Sequence, residues 1–153
     1  MKQKILSADS VLLISHELTL GYATAEENAI GDTSMPPDPP APEFFINGKL
    51  NRAIINEQAL LTDTARLDFI KILLRPVNIE KYTPTKCDQP RHSIIFYKND
   101  QQSYIDICFG CMHIHSSADI NFFEHNMDQK KWEQLMNFFK RNGVGRVLKE
   151  MDE

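Results

Sequence analysis

The sequence predicts an α+β fold with a mostly antiparallel sheet packed by helices. Two segments rich in β-branched and aromatic residues, joined by a polar turn at 99–102, predict a central hairpin over 92–98 and 103–109. Two amphipathic segments predict helices near 64–74 and 128–141. No repeated strand–helix–strand pattern is present, which favours antiparallel pairing over a parallel sheet.

The N-terminal part of the chain predicts short strands around a proline-rich segment. Ser10–Glu17 is apolar and predicts the first strand. Five of the eight prolines lie in residues 35–42. Because proline lacks an amide hydrogen and fixes φ, we expect this segment to be exposed polyproline II. Residues 44–46 predict a short strand, and the Asn47-Gly48 pair after it is a strong turn signal. We expect a single domain over residues 1–153.

Both predicted helices carry capping signals. Thr62 or Thr64 can cap the first helix, and Pro76 ends it because the residue before a proline avoids helical geometry. Asp128 caps the second helix and Gly143 supplies a left-handed stop. The expected apolar stripes are Leu67, Ile70 and Leu74 in the first helix, and Trp132, Leu135, Met136 and Phe139 in the second.

The overall charge argues against nucleic acid as a partner. The formal net charge is −4, whereas a nucleic-acid binder needs a basic face that displaces counterions. No stretch approaches the roughly 18 consecutive apolar residues of a membrane span, and no targeting segment is visible. We therefore expect a soluble, cytoplasmic protein with neither membrane nor nucleic-acid binding. The acidic balance and the exposed proline segment are compatible with a protein partner.

The most informative feature is a cluster of cysteine and histidine residues. All three cysteines of the chain lie between residues 87 and 111, and three of the five histidines lie in or just after that stretch. Because a C-x-x-C turn brings two thiolates to one ion, the sequence predicts a structural zinc site. Its expected ligands are Cys87, His92, Cys108 and Cys111, with His92 and Cys108 close together across the hairpin.

Other interpretations of the cluster stay open. The thiols can form a disulfide, either Cys87–Cys108 or Cys108–Cys111, or they can serve redox chemistry, or they can be inert core residues. His113 and His115 point to one side of a strand and, with Cys111, offer a less favoured metal site. We expect the two remaining histidines, His16 and His125, at the surface.

The cysteine cluster also resembles a known sequence pattern. Cys87 with Pro90-Arg91-His92, a hydrophobic strand, and Ile107-Cys108-Phe109-x-Cys111 are similar to an uncharacterised family of small bacterial proteins. The resemblance covers about a fifth of the chain, counting the matched positions alone. It implies that the two segments form one unit, and it implies no activity.

Two functional hypotheses follow from the sequence. The first is a non-enzymatic bacterial domain whose cysteine cluster, with or without zinc, holds the hairpin to the preceding loop. The second is a small metal- or thiol-dependent enzyme that uses the Cys108 and Cys111 region. The sequence contains no nucleophile-elbow, Walker, dinucleotide-binding or H-E-x-x-H motif.

Overall fold

The computed structural model describes residues 1–17, 42–77, 89–122 and 124–145. These residues form three α-helices, seven strands and two short 3₁₀ turns. The helices are α1 (Lys2–Leu6), α2 (Asp63–Leu74) and α3 (Gln129–Arg141). The strands are β1 (Ser10–His16), β2 (Phe45–Ile46), β3 (Lys49–Leu50), β4 (Ile55–Leu60), β5 (His92–Lys98), β6 (Gln101–Cys108) and β7 (His113–Ser116), and the 3₁₀ turns are Arg52–Ile54 and Glu124–Asn126.

Five strands form one sheet in the order β4-β1-β5-β6-β7, and β2 with β3 forms a separate two-stranded sheet. Every neighbouring pair is antiparallel, so the predicted α+β fold with a mostly antiparallel sheet is confirmed. The chain order of the strands differs from their order in the sheet. As a result β1 lies between β4 and β5, and residues far apart in sequence meet at its end.

The predicted central hairpin is confirmed, with a shorter turn than expected. β5 and β6 pair from His92 opposite Ile107 to Lys98 opposite Gln101. Asn99 and Asp100 alone make the turn, with φ of 48° and 61°. Positive φ at both central positions defines the two-residue turn whose twist matches that of antiparallel strands, and asparagine and aspartate tolerate it. Gln101 and Gln102 therefore belong to β6 and not to the turn.

The five-stranded sheet separates two apolar clusters. On its helix face, Ile94, Ile105 and Ile107 pack with side chains of α1, α2 and α3, including Phe69 and Phe138. On the opposite side, here called the hairpin face, Leu12, Ile14 and Ile95 pack with Leu50 of the β2–β3 hairpin. Side chains alternate between the faces along each strand. The predicted division of β6, with Ile105, Ile107 and Phe109 on one face and Tyr104 on the other, is confirmed.

Both predicted helix caps are present, but the stripe predicted for α2 is confirmed only at Ile70 and is wrong at its other two residues. The Thr62 hydroxyl accepts a hydrogen bond from Ala65 N, and Asp128 accepts one from Lys131 N. Gly143, at φ 85°, follows α3 as expected. In α2, however, Leu67 and Leu74 are 49% and 48% exposed. The helix is apolar on several sides, so its sequence leaves the buried face ambiguous; the buried residues are Phe69, Ile70, Ile72 and Leu73.

Two elements of the N-terminal half were not predicted, and one predicted segment lies largely outside the described residues. The short helix α1 and the edge strand β4 have no counterpart in the sequence prediction. The predicted proline-rich segment at 35–42 lies, apart from Pro42, outside the described residues.

Among the described residues, the helices are all too short or too polar to cross a membrane.

Candidate functional site

The β6–β7 connection carries two of the three cysteines. β6 ends at Cys108 and β7 begins at His113, so the chain reverses direction within four residues. The sulfur atoms of Cys108 and Cys111 are joined as a disulfide across this turn, with the two Cα atoms 5.3 Å apart. The backbone N–H of Cys111 also donates a hydrogen bond to the sulfur of Cys108 at 3.1 Å. The two residues are only 4% and 2% exposed.

His92 lies on the other face of the sheet from Cys108. The register places His92 opposite Ile107, one residue from Cys108, so the two positions are close in the backbone as expected but their side chains lie on opposite faces. A shift of one residue moves a side chain to the opposite face. The His92 ring packs instead against Phe109 and Phe139, at centroid distances of 5.1 and 5.6 Å.

The environment of His92 keeps its ring uncharged. Its Nε2 is buried and finds no hydrogen-bond partner among the described residues. Burial lowers the pKa of His92 from 6.5 to about 4, and the nearby charges of His16 and Arg91 act in the same direction. The ring is thus a neutral component of the helix-side core at physiological pH.

His113 and His115 belong to β7, which pairs with β6, and both side chains lie on the hairpin face. His113 is opposite Cys108, and His115 is opposite Asp106. Ile114 between them is buried on the helix face, so the predicted common side of the two histidines is confirmed. Both imidazoles are partly buried.

No group of three or more metal-binding side chains is present in the described ranges 1–17, 42–77, 89–122 and 124–145. Cys87, the first expected zinc ligand, lies outside those ranges. The four-residue zinc site therefore stays a prediction. A zinc-bound thiolate and a disulfide exclude each other at the same sulfur, so the Cys108–Cys111 bond would have to be absent in a zinc form.

A buried polar cluster that the sequence did not predict lies next to this turn. His16 Nε2 lies 3.2 Å from Asp106 Oδ1 and 2.8 Å from Ser93 Oγ. The Ser93 hydroxyl donates to the same Asp106 oxygen at 2.7 Å. The prediction of a surface position for His16 is wrong, because the residue is only 1% exposed. Ser93 and Asp106 are directly opposite each other on β5 and β6.

The hydrogen bonds of His16 fix the orientation of its ring. Nδ1 lies 2.7 Å from the Glu17 carbonyl oxygen, which can only accept, so Nδ1 carries a proton. Nε2 faces an aspartate oxygen that already accepts from Ser93. The ring is therefore held from both nitrogens, with Nε2 directed at Ser93 and Asp106. The other oxygen of Asp106, Oδ2, has no hydrogen-bond partner among the described residues.

The alternation of β6 was the one sequence signal for this cluster. Asp106 follows Ile105 and precedes Ile107, and an aspartate within a strand of buried residues requires a partner. Its partner His16 is 90 residues away in sequence, in β1. Only the strand order shows that β1 and β6 both flank β5.

A second charged cluster joins the end of α2 to the start of α3. The Lys131 ammonium donates to the carbonyl oxygens of Leu73 and Asn126 at 3.0 and 2.7 Å. Arg75 pairs with Asp128, the cap of α3. Burial and the charge of Arg75 lower the pKa of Lys131. Lys131 is thus a buried cation that satisfies a terminal carbonyl of α2.

The described residues also line two cavities. The larger, about 620 Å³, lies on the hairpin face and is lined by Lys49, Leu50, Arg52, Tyr97, Asp100 and Gln102. The smaller, about 330 Å³, lies beside the Lys131 cluster. Neither lining includes a cysteine or a histidine.

Comparisons with known proteins add no assignment. No protein-family model, no curated protein and no solved structure matches this chain. The site is therefore interpreted from its own geometry.

Proposed function

We propose that the chain is a non-catalytic α+β domain that binds a protein partner and uses the Cys108–Cys111 disulfide as a structural cross-link. The observation that carries the proposal is the burial of both sulfur atoms within a closed turn. A thiol that attacks an external substrate must be accessible to that substrate and must lie near positive charge, as catalytic cysteines do. Two nearly inaccessible cysteines instead favour a role in holding β6 to β7.

The contacts around the turn support this structural role. The hydrogen bond from Cys111 N to Cys108 Sγ fixes the turn from within. The cross-link also lies two residues from Asp106 along β6, next to the buried His16 pair. By holding the end of β6 in register with β7, the cross-link keeps the Asp106 carboxylate within hydrogen-bond distance of the His16 ring.

Stability measurements with and without reductant test the proposal. The two cysteines are three residues apart, so they close a small loop. The chain-entropy model gives such a loop roughly 2 kcal/mol. For a protein of this size that corresponds to a fall of roughly 4–8 °C in Tm when the bond is reduced. The Cys108→Ser/Cys111→Ser double variant should melt at the temperature of the reduced protein and ignore the reductant.

Cys87→Ser is the matched control. It removes one cysteine and leaves the turn intact, so it should retain the full response to reductant. A wild-type Tm that does not respond to reductant, combined with a stable double variant, would contradict the structural role.

A zinc site at Cys87, Cys108 and Cys111 is the second candidate; His92, the fourth predicted ligand, packs on the opposite face of the sheet from Cys108. One observation favours it: the N–H···S hydrogen bond within the turn also suits a pair of metal-bound thiolates. Metal analysis of protein purified without chelator separates the two candidates. One zinc per chain, lost in Cys87→Ser, supports the metal site, whereas metal-free protein with an intact Cys108–Cys111 bond supports the disulfide.

A further inference from the structure

The larger cavity lies between two hairpins of the chain and is called the hairpin cleft. Its lining comes from β3 and the adjoining 3₁₀ turn on one side, and from the ends of β5 and β6 on the other. Its volume of about 620 Å³ is within the range of small-ligand sites. The cleft therefore has room for a few residues of a bound peptide.

The walls of the hairpin cleft are held in place by one glutamine. Gln102 Nε2 donates to the Gly48 carbonyl oxygen at 2.7 Å. Its Oε1 accepts from Leu50 N at 3.3 Å. These two bonds connect β6 to the β2–β3 hairpin, whose Asn47-Gly48 turn has positive φ at both residues. The cleft is thus formed before any ligand enters, which reduces the entropy cost of binding.

The charge of the hairpin cleft differs in sign from that of the chain. Lys49 and Arg52 are exposed cations in the lining, and Asp100 is the one acidic residue among the lining side chains. The whole chain carries a formal charge of −4. Arg52 Nη1 donates to Gln58 Oε1 at 3.0 Å, which orients the guanidinium and leaves further N–H groups available.

Tyr97 adds a hydrogen-bond donor on the β5 side of the cleft. Burial of the ring raises the pKa of Tyr97, and this outweighs the opposing effect of the nearby Arg52 charge. The hydroxyl therefore keeps its proton over the physiological range. Two cations on one side of the cleft and a hydroxyl on the other match the acceptor-only oxygens of carboxylates.

We propose that the hairpin cleft binds a short acidic segment of a protein partner, with Arg52 and Lys49 contacting its carboxylates. The proposal rests on the proposed partner-binding function and specifies its location. Glutamate or aspartate side chains fit better than a nucleic-acid backbone, because nucleic-acid sites present a row of cations and this cleft presents two.

Titration with two blocked peptides tests the proposal. Tetraglutamate should shift the amide NMR signals of the cleft residues and bind more tightly than tetraglutamine, with the difference reduced by added salt. The Lys49→Gln/Arg52→Gln variant should bind tetraglutamate about tenfold more weakly, as expected for losing two partly exposed charged contacts. Both substituted residues are exposed, so the variant should fold.

Lys71→Gln/Lys130→Gln is the charge-matched control. It removes the same charge from exposed positions on α2 and α3, on the other side of the sheet, and should leave tetraglutamate binding unchanged. Equal binding of the two peptides, or equal losses in the two double variants, would overturn the proposal. Tighter binding of a short oligothymidylate than of tetraglutamate would overturn the choice of ligand. None of these results depends on the Cys108–Cys111 bond, so this proposal and the structural cross-link fail separately.

Discussion

His16 Nε2 lies 3.2 Å from Asp106 Oδ1, although β5 separates the two strands that carry these residues. Ser93 of β5 lies between them and donates to the same oxygen. Three neighbouring strands are therefore joined by side-chain hydrogen bonds as well as by their backbones. All three side chains are buried, so these hydrogen bonds do not compete with solvent.

Removing the carboxylate should be strongly destabilising. Asp106→Ala leaves the buried Ser93 hydroxyl and His16 Nε2 without their shared partner, and a buried polar group without a partner costs about 1–3 kcal/mol. Urea denaturation measures the loss. Glu133→Ala, on the exposed side of α3, should change stability by less than about 0.5 kcal/mol. Equal stabilities of the two variants would show that the Asp106 hydrogen bonds do not hold the three strands together.

His92 predicts a specific pH dependence of stability. Its pKa is about 4 in the folded protein and 6.5 in the unfolded chain, so the unfolded state binds more protons between these values. Stability is therefore retained above pH 6.5 and falls as the pH is lowered toward 4. The shift corresponds to roughly 3 kcal/mol.

A histidine replacement isolates this contribution from other titrating groups. His92→Phe keeps an aromatic ring against Phe109 and Phe139 and removes the titration. We expect a shallower loss of stability between pH 6.5 and 4, measured by denaturation at a series of pH values. His125→Asn, at an exposed position, should keep the wild-type slope. An unchanged slope in His92→Phe would contradict the assignment of a buried neutral ring.

The Lys131 cluster predicts a stability difference between two neighbouring lysines. Lys131→Met keeps most of the side-chain volume but leaves the Leu73 and Asn126 carbonyls without their shared donor. A cost of about 1–3 kcal/mol is expected. Lys130→Met changes an exposed residue of the same helix and should cost less than about 0.5 kcal/mol. Thermal denaturation of both variants makes the comparison, and equal costs would remove the proposed role of Lys131.

The sequence predicted those elements whose signals lie within a few neighbouring residues. Residues 92–98 were recognised as a strand from β-branched and aromatic content, and Asp128 was recognised as a cap from its position before an amphipathic segment. The α2 stripe failed because Leu67 and Leu74 are apolar yet exposed, and only tertiary packing selects the buried side. Likewise β4 pairs with β1 at one edge of the five-stranded sheet, and no pattern within either strand predicts that pairing.

The candidate site depended more strongly on tertiary structure. The C-x-x-C spacing predicted that Cys108 and Cys111 lie close together, because residues only three positions apart in sequence cannot be far apart in space. The placement of His92 required the register, and one residue decided its face. His16 was missed because its partner Ser93 is 77 residues away. The strand order β1-β5-β6 brings them together, and sequence periodicity carries no information on that order.

Alkylation of the denatured, unreduced protein shows directly whether Cys108 and Cys111 are cross-linked. Protein purified without reductant is unfolded in the presence of an alkylating reagent, digested and mapped by mass spectrometry. If the disulfide is present, only Cys87 is alkylated, and Cys108 and Cys111 appear in one internally cross-linked peptide. Alkylation of all three cysteines would contradict the structural disulfide.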